Sequence, residues 1–435
     1  MSTIASIITA PGNAAVSIIK ISGEEAWAIA EKLTEKTFKH RYIELAWIKG
    51  NNNENLDQVL VLPFKSPNSY TGEDLIELHS HGGSWITEKV LERVLEVGAK
   101  LAKPGEFTER AFLNQKLDLS QAEGILDIIN ARSSSAGENA IKIYQGFLGS
   151  EIQAIRLELL NLMGEITASI DFPDEVGDYD RSKYQLQIDS QLVRVNKLLA
   201  GEQEGHILRN GYKVALVGNP NVGKSTLLNT LLKKERAIVT DIAGTTRDVI
   251  EEAFSIKGLP IILLDTAGLR ESIDKVEKIG IEKTREIIKE ADLVISLQDI
   301  SLEEDLDVLD LLKTKQFIRV GTKKDISPIH DGQSFDTSIS ALTGEGIEEL
   351  KEMIYERILG SSQSDSAVKV NHRQADLLRK ARTALENSRE AAEHEPEDFW
   401  TIDLRAAIAA LGEITGETLT EELLDNIFSR FCIGK

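Results

Sequence analysis

Residues 214–225 are Val-Ala-Leu-Val-Gly-Asn-Pro-Asn-Val-Gly-Lys-Ser, an apolar run that leads directly into the pattern Gly-x-x-x-x-Gly-Lys-Ser. The run is typical of a buried strand, and helical spacing begins at the end of the pattern. Glycines in such a turn let backbone N–H groups point inward around phosphate oxygens. Lys224 would then reach the β- and γ-phosphates, and the Ser225 hydroxyl would ligate Mg²⁺. The stretch therefore predicts a nucleotide phosphate site between a strand and a helix.

Outward from this turn, apolar strand cores alternate with helical segments from about residue 210 to residue 360. Besides Val214–Val217, these cores are Ile261–Leu264, Leu293–Leu297 and Phe317–Val320. Such an alternation is typical of a doubly wound, mostly parallel sheet. We therefore predict a Ras-like P-loop domain over 210–360.

The chain before residue 119 mixes short β-rich runs with helical stretches. Ala15–Ile21, Gln58–Leu62 and Asp74–His79 have the composition or alternation of strands, and Ile86–Val97 has helical spacing. These patterns predict an α+β domain over residues 1–118.

Helical patterns flank the predicted P-loop domain on both sides, over 119–209 and 361–435. The recurring apolar positions of the first segment are Ile152, Ile155, Leu159, Leu160, Met163, Leu186, Ile188, Leu192, Val195, Leu198 and Leu199. Because both flanks are helical, the economical interpretation is one discontinuous helical domain with the P-loop domain inserted between its two parts.

Composition narrows the classes of function. The chain has 435 residues with 50 basic and 71 acidic side chains, a formal charge of −21, which disfavours non-specific binding to nucleic acid or anionic membrane. If the protein handles RNA, a local basic face or a partner must supply the attraction. No apolar run is long enough to span a bilayer, and the single cysteine, Cys432, cannot form an internal disulfide. We expect a cytoplasmic protein.

The identity of the base is predicted by Thr322-Lys-Lys-Asp325, which follows the last strand core. The Asp325 carboxylate can accept hydrogen bonds from N1–H and the exocyclic amine of guanine, a donor pair that adenine lacks. Ser340 and Ala341 would complete the base pocket. The usual motif begins with Asn, so Thr322 weakens one contact to the base. GTP is thus the predicted nucleotide.

Two stretches between these motifs complete the phosphate site. Asp265 in Asp265-Thr-Ala-Gly268 is placed to hold the Mg²⁺ shell, and Thr246 in a polar loop can close onto Mg²⁺ when the γ-phosphate is present. The Ras-type glutamine that orients water is replaced by Leu269, so hydrolysis must be organised otherwise. Arg270 and Glu277 are nearby candidates, with Glu277 acting as a general base through water or serving as a solvated helix residue.

Further motifs extend far beyond the phosphate site: Gly72–Gly83, Pro104–Asp118, Asp171-Phe-Pro173, Gly244-Thr-Thr-Arg-Asp248, Asp265–Arg270 and Phe431-Cys-Ile-Gly-Lys435. With the P-loop, they resemble the MnmE (also called TrmE) family of bacterial tRNA modification GTPases over nearly the whole chain. The terminal pentapeptide and the N-terminal motifs are more specific than the P-loop, which many nucleotidases share.

The resemblance implies how GTP is hydrolysed. Two G domains of a homodimer would meet face to face, with K⁺ in the place of an arginine finger and Asn221, Thr240, Ile242 and Thr245 around it. Glu277 matches the family's catalytic glutamate and would act with Lys224 and Asn221. The implied nucleotide contacts are Asn221, Val222, Gly223, Lys224, Ser225, Thr226, Thr240, Asp241, Ile242, Ala243, Gly244, Thr245, Thr246, Asp265, Thr266, Ala267, Gly268, Thr322, Lys323, Asp325, Ser340 and Ala341.

The resemblance also implies a second site and partners. Lys20, Glu77, Lys116 and Lys435 match positions that contact a formyl- or methylene-tetrahydrofolate in the N-terminal domain, which also forms the dimer. An FAD-dependent partner of the MnmG (GidA) type would assemble with the chain into a heterotetramer. Together they would add an aminomethyl or carboxymethylaminomethyl group to C5 of the wobble uridine of certain tRNAs.

Alternatives stay open at this point. The chain could be a GTP-dependent switch or ribosome-assembly factor without a role in base modification, or its N-terminal domain could serve dimerisation alone. Glu77, His79 and His81 share one face of a strand, a weak pattern for a metal site without a remote ligand. Cys432 could assist the chemistry or be an idle thiol.

Overall fold

The computed structural model describes residues 2–234, 252–264, 285–302, 315–326, 328, 334–360, 366–418 and 421–434. The chain divides into two compact units. The first is made of Met1–Leu126, Ile143–Asp178 and Thr401–Lys435, and the second of Asp127–Lys142 and Tyr179–Trp400. The four-part division at residues 118, 209 and 360 stays a prediction.

Strands and helices alternate along the chain as follows. The strands are β1 (Ile4–Ile7), β2 (Val16–Ser22), β3 (Glu44–Lys49), β4 (Asn55–Phe64), β5 (Leu75–His81), β6 (Lys100–Leu101), β7 (Tyr212–Val217), β8 (Glu252–Ile256), β9 (Leu259–Leu264), β10 (Leu293–Asp299), β11 (Phe317–Thr322) and β12 (Thr337–Ser338). The helices are α1 (Ala26–Thr34), α2 (Ser84–Val97), α3 (Glu106–Leu113), α4 (Leu119–Asn130), α5 (Ser134–Tyr144), α6 (Phe147–Asp171), α7 (Pro173–Val176), α8 (Arg181–Leu199), α9 (Glu202–Asn210), α10 (Lys224–Lys234), α11 (Ile347–Leu359), α12 (His372–His394), α13 (Glu397–Thr415) and α14 (Glu421–Phe428).

The first sheet has the order β3-β4-β5-β2-β1-β6 and is antiparallel except for the β1–β6 pair. Its alternating pattern is clear in β4, where Val59 and Val61 are buried and Leu60 between them is exposed. Helices α1 and α2 cover the buried face, with Leu33 and Val90 in the same core. One covered face and one open face are what period-2 alternation predicts. The α+β prediction is therefore confirmed.

Among the described residues, the second sheet has the order β12-β11-β10-β7-β9-β8, in which β8 runs antiparallel and the other five strands are parallel. Successive residues of β7 enter different cores: Val214 and Leu216 face α10 and α11, whereas Ala215 and Val217 face the opposite cluster with Ile288. Burial on both faces explains the continuous apolar runs of the sequence. The doubly wound, mostly parallel sheet is confirmed, although β8 is a strand that the sequence analysis missed.

Residues outside the sheet complete the larger of these two cores. Ala136 of α5 and Ile207 and Leu208 of α9 are buried in the cluster that contains Val214. At the β8–β9 turn, Gly258 has a φ of +87°, and a Cβ there would overlap the Ser135 hydroxyl at the start of α5. The turn is thus packed closely against α5.

A helix that precedes the second sheet in the chain, α8, packs on α12, which follows it, as predicted for a discontinuous helical domain. The Tyr184 hydroxyl of α8 lies against the Ser388 hydroxyl of α12, which donates to the Trp400 carbonyl at 2.7 Å. The Tyr184 and Trp400 rings are 4.9 Å apart. The helices predicted from this spacing are present as α6 and α8, although two of their apolar side chains, Leu160 and Leu186, are exposed. No helix within the described ranges is long and apolar enough to cross a membrane.

Candidate functional site

The phosphate turn has the predicted context, since β7 ends at Val217 and α10 begins at Lys224. Asn221 and Gly223 adopt left-handed conformations with φ of 62° and 102°. A Cβ on Gly218 would overlap the Leu297 carbonyl oxygen of β10, so only glycine fits this close approach, whereas nothing lies within 4 Å of a Cβ on Gly223. The backbone therefore turns tightly beside the sheet and leaves open space at its tip.

Lys224 turns its side chain back over this loop. Its Nζ donates to the carbonyl of Gly218 and, at 3.0 Å, to that of Asn219. Burial lowers the pKa of Lys224, because desolvation disfavours the ammonium. Carbonyl oxygens are modest partners for a half-buried cation, so a phosphate would satisfy this ammonium better.

Of the other predicted residues of the turn, one is buried in the core and three are exposed to solvent. Val222 is buried in the core with β7, whereas Asn221, Ser225 and Thr226 are exposed. The amide oxygen of Asn221 and the two hydroxyl oxygens can ligate hard cations, and the hydroxyls can also donate hydrogen bonds to phosphate oxygens.

The predicted base-recognition turn follows β11. Thr322 is buried, and its hydroxyl donates to the Gln298 carbonyl of β10 at 3.2 Å, so threonine at the usual asparagine position fastens this turn to the neighbouring strand. Lys323 has a left-handed backbone with φ of 65°, and its carbonyl accepts from Ile326 N. The Asp325 carboxylate is exposed and has no hydrogen-bond partner among the described residues. It is available to a ligand.

Ser340 and Ala341 lie where the base turn and α10 meet. The buried Ser340 hydroxyl accepts from Thr343 N at 3.2 Å, which closes a small loop. The Ala341 carbonyl accepts from the Thr230 hydroxyl of α10 at 2.9 Å. Lys324 N donates to the Ile339 carbonyl at 3.2 Å, which ties the base turn to this loop. The structure thus brings the phosphate helix and the two base loops together.

These loops share one edge of the sheet because β7, β10 and β11 are parallel. Ser296 is level with Val217, and Asp299 is level with Thr322. The carboxyl edge of such a sheet is where ligands of doubly wound folds bind. The remaining predicted nucleotide, Mg²⁺ and K⁺ contacts lie outside the described residues: Thr240, Asp241, Ile242, Ala243, Gly244, Thr245, Thr246, Asp265, Thr266, Ala267 and Gly268. So do Leu269, which replaces the Ras-type glutamine, the candidate Arg270 and the predicted general base Glu277.

A second cluster lies on the first sheet, where register pairs Lys20 of β2 with Glu77 of β5. Lys20 Nζ is 3.9 Å from Glu77 Oε1, and it lies 4.9 Å and 5.3 Å from the centroids of the Tyr70 and Phe107 rings. Two aromatic faces and a carboxylate stabilise a largely buried ammonium. The structure therefore joins two of the residues predicted to contact folate.

The other two predicted folate residues are placed less fully. Lys116 is exposed, and its Nζ donates to the Pro67 carbonyl at 3.0 Å in the segment that also carries Tyr70. Lys435 lies outside the described residues, but the preceding tail docks on the same unit. Ile433 forms a β-bridge with Pro104, and a Cβ on Gly434 would lie 2.5 Å from the Ile7 carbonyl oxygen of β1.

The pattern of Glu77, His79 and His81 does not converge on one point. His79 Nε2 is 3.4 Å from Glu77 Oε2, whereas His81 Nδ1 is 2.6 Å from Asp57 Oδ1. Within the described ranges, no group of three or more His, Cys, Asp or Glu side chains could hold a metal ion. Cys432 is exposed.

Several groups around both sites were missed by the sequence analysis. Lys323 Nζ pairs with Asp299 Oδ2 at 2.7 Å, and Thr230 bridges α10 to Ala341. In the same unit as the Lys20–Glu77 pair, the buried Arg110 guanidinium pairs with Glu73 at 3.1 Å and with Glu106 at 2.7 Å. The pattern Glu106-x-x-x-Arg110 was a local signal for the last pair, but the other partners are distant in sequence.

Comparison with known proteins gives matches along almost the whole chain. Residues 3–116 match the family described as GTP-binding protein TrmE N-terminus, and residues 119–432 match the MnmE helical domain. The tRNA modification GTPase MnmE of Thermoanaerobacter pseudethanolicus is 42% identical over 456 residues, which cover 100% of this chain and 99% of the relative. That of Clostridioides difficile is 43% identical with the same coverage. Among solved structures, the G domain of the T. maritima FeoB iron transporter is 33% identical, covering 34% of this chain and 98% of that chain with a TM-score of 0.26.

Proposed function

The chain belongs to the MnmE family of tRNA modification GTPases, and from that membership we propose that it hydrolyses GTP in the service of wobble-uridine modification. The observation that carries the proposal is the meeting of two motifs at one sheet edge. The turn before Lys224 and the turn that carries Asp325 both follow parallel strands. The loop that contains Ala341 accepts from Thr230 of α10, and the adjoining Ile339 carbonyl accepts from Lys324 N of the base turn, so this loop contacts both motifs. One site can therefore grip triphosphate and select guanine.

Lys224 is proposed to bind the β- and γ-phosphates by exchanging the Gly218 and Asn219 carbonyls for phosphate oxygens. The exposed Ser225 hydroxyl, with Thr246 and Asp265, fits the oxygen ligands that Mg²⁺ prefers. When bound, the metal ion supplies neutralisation of phosphate charge. Asp325 is exposed and ready to accept the guanine N1–H and amino protons.

Hydrolysis is proposed to depend on K⁺ and on a homodimer. The Asn221 amide is exposed at the tip of the turn and offers an oxygen ligand, and Thr240, Ile242 and Thr245 would complete that site largely with backbone carbonyls. A monovalent cation there supplies positive charge beside the scissile phosphate. Glu277 is the proposed general base, since Leu269 cannot orient water.

The Lys20–Glu77 cluster is proposed to hold a formyl- or methylene-tetrahydrofolate, which supplies the one-carbon unit. The donor set fits: a carboxylate accepts the pterin N–H groups, and lysines pair with the glutamate tail of the folate. Lys116 and Lys435 would serve the tail. The tRNA product, a carboxymethylaminomethyl or aminomethyl uridine, is proposed to form with an FAD-dependent partner of the MnmG type in the cytoplasm.

The first experiment measures GTP hydrolysis by the purified chain in K⁺ and Na⁺ buffers. We expect K⁺ to be required and Asn221→Ala to lower turnover roughly 100-fold, the usual effect of removing charge stabilisation from a transition state. Asn53→Ala is the matched control, because Asn53 is an exposed asparagine with the same φ of 62°. Equal rates of GTP hydrolysis in the two salts would reject the role of K⁺. The absence of hydrolysis in both salts would reject the proposed GTPase activity.

The second experiment separates the two sites. A strain that lacks the gene is complemented with Glu77→Gln or Glu277→Ala, and wobble uridines are measured by mass spectrometry. We expect Glu77→Gln to lose the modification while the purified variant keeps its GTPase, whereas Glu277→Ala keeps nucleotide binding and loses hydrolysis. Intact wobble modification in the deletion strain would contradict the tRNA role.

A further inference from the structure

The connection between α1 and β3 carries a cluster of exposed cations. Residues 36–43, the basic connection, are Lys-Thr-Phe-Lys-His-Arg-Tyr-Ile, with three lysine or arginine side chains and no carboxylate in a chain whose formal charge is −21. Within the described part of the chain, no carboxylate pairs with these three cations. Their charge is therefore available to an external anion. The exposed side chains of the basic connection include Lys36, Lys39, His40, Arg41 and Tyr42.

The backbone of the basic connection is fixed although these side chains are exposed. Phe38 is buried in the core of the first sheet. Arg41 N donates to the Pro63 carbonyl of β4 at 2.8 Å, and His40 Nδ1 accepts from Lys65 N at 2.9 Å. The cations and the aromatic ring therefore project from a turn that is already formed, which lowers the conformational entropy lost when a ligand binds.

The basic connection adjoins the segment that covers the proposed folate site, because its partner Lys65 begins that segment. The Pro67 carbonyl of the segment accepts from Lys116, and Lys20 Nζ lies over the Tyr70 ring. Five residues of chain join Lys65 to Tyr70, so their Cα atoms are at most roughly 18 Å apart. A nucleotide strand that reaches the folate site would thus have its neighbouring phosphates close to the basic connection.

RNA is the anion that fits these side chains best. Lysine and arginine bind phosphate oxygens, and an exposed tyrosine ring stacks on an unpaired base, which an acidic peptide does not offer. Three cations are fewer than the roughly four to eight of a membrane-binding cluster. Because the chain as a whole is acidic and repels RNA, a local basic surface also determines where RNA can approach.

We propose that the basic connection is the surface through which this chain contacts its tRNA substrate. Lys39 and Arg41 bind phosphates of the anticodon loop, and Tyr42 stacks on one of its unpaired bases. This inference rests on the proposed function in wobble-uridine modification.

The test measures the Kd of the full chain for a fluorescein-labelled tRNA transcript by fluorescence anisotropy, in roughly 50 to 200 mM KCl. We expect the double variant Lys39→Gln, Arg41→Gln to bind about tenfold more weakly. The slope of log K against log salt should become shallower by about 1.4, because two contacts to single-stranded phosphates are lost. Tyr42→Ala should weaken binding at least about fivefold without changing this slope, since stacking releases no counterions.

The matched control is the double variant Lys100→Gln, Lys103→Gln. Both lysines are exposed, and they lie on or directly after β6, at the opposite edge of the same sheet. This control loses the same charge and should keep the Kd and salt slope of the wild type. All variants should hydrolyse GTP like the wild type, which shows that they are folded.

The outcomes separate the inference from the proposed function. Intact wobble modification in the deletion strain rejects the proposed function itself. If modification is lost in that strain, the surface assignment alone is overturned when the wild type does not bind tRNA, or when the Lys39, Arg41 variant binds it like the Lys100, Lys103 control. It is also overturned if that variant keeps its tRNA affinity but loses binding to phosphatidylserine vesicles, which would assign the surface to a membrane.

Discussion

Two glycines behind the base pocket allow the packing of that pocket to be tested by a matched pair of substitutions. Gly344 and Gly346 have φ of +85° and +76°, so alanine is strained to a similar degree at both positions. A Cβ on Gly344 meets nothing within 4 Å, whereas a Cβ on Gly346 would lie 2.6 Å from the Ser338 carbonyl oxygen. Only the second substitution pushes on β12, which leads into Ser340.

The magnitude follows from the geometry. Because Cβ atoms essentially never come within 3.0 Å of another heavy atom, the Ser338 carbonyl must retreat by about 0.4 Å. We expect Gly344→Ala to cost about 1 kcal/mol from backbone strain. Gly346→Ala should cost about 3 kcal/mol, since overpacking against backbone adds about 2 kcal/mol. For a unit of this size, the Tm falls by roughly 2–4 °C per kcal/mol.

Differential scanning fluorimetry of the nucleotide-free chain would measure the two Tm values, and titration with a fluorescent GDP would measure binding. Gly346→Ala should lower the Tm roughly 6–12 °C and weaken GDP binding, whereas Gly344→Ala should lower the Tm roughly 2–4 °C. Equal losses in Tm for the two variants would refute the reasoning that the Ser338 contact limits position 346.

Three further predictions concern charges and rings. Lys224→Met should weaken GDP binding roughly 10–100-fold yet raise the Tm of the nucleotide-free chain, because burying the ammonium destabilises the folded state at neutral pH. Since the pKa of Lys224 is lower in the folded state, this destabilisation disappears as the pH rises through that pKa toward 10.5. The Tm values of the wild type and the variant should therefore converge at high pH. Arg110→Ala should cost about 3–5 kcal/mol in denaturant unfolding because it leaves Glu73 and Glu106 without their buried partner, whereas Lys89→Ala, which removes an exposed pair, should cost under about 1 kcal/mol. Tyr70→Leu should weaken tetrahydrofolate binding by calorimetry about fivefold through loss of the cation–π contact to Lys20, and Tyr70→Phe, which keeps the ring, should not.

Elements buried on two faces could be predicted from the sequence, and elements on an edge could not. Val214–Val217 and Leu293–Leu297 are continuous apolar runs because each side of the sheet is covered. β8 was missed because it is an antiparallel edge strand, and among the described strands it pairs with β9 alone. Leu186 lies on the predicted helix but is exposed, because helical spacing marks a broad stripe and α8 needs only part of it to pack on α12.

Local motifs likewise predicted the parts of the site that lie in one turn. The strand–turn–helix context of Lys224 and the place of Asp325 in a turn directly after a strand were predictable because neighbours in sequence create them. Asp299 and Tyr70 were not, because their contacts with Lys323 and Lys20 depend on strand register and on a loop that folds back from fifty residues away. Such pairs leave no periodicity to detect.

The close fit of Gly258 against Ser135, with Ala136, Ile207 and Leu208 inside the same core as Val214, bears on protein engineering. A fragment that begins at residue 210 would lack those side chains, and the aliphatic surface that they cover would be exposed to water. Fusing residues 210–360 to another host would therefore call for compensating polar substitutions on β9 and the β8–β9 turn, which α9 and α5 contact. Without these substitutions, the fused fragment should aggregate during purification.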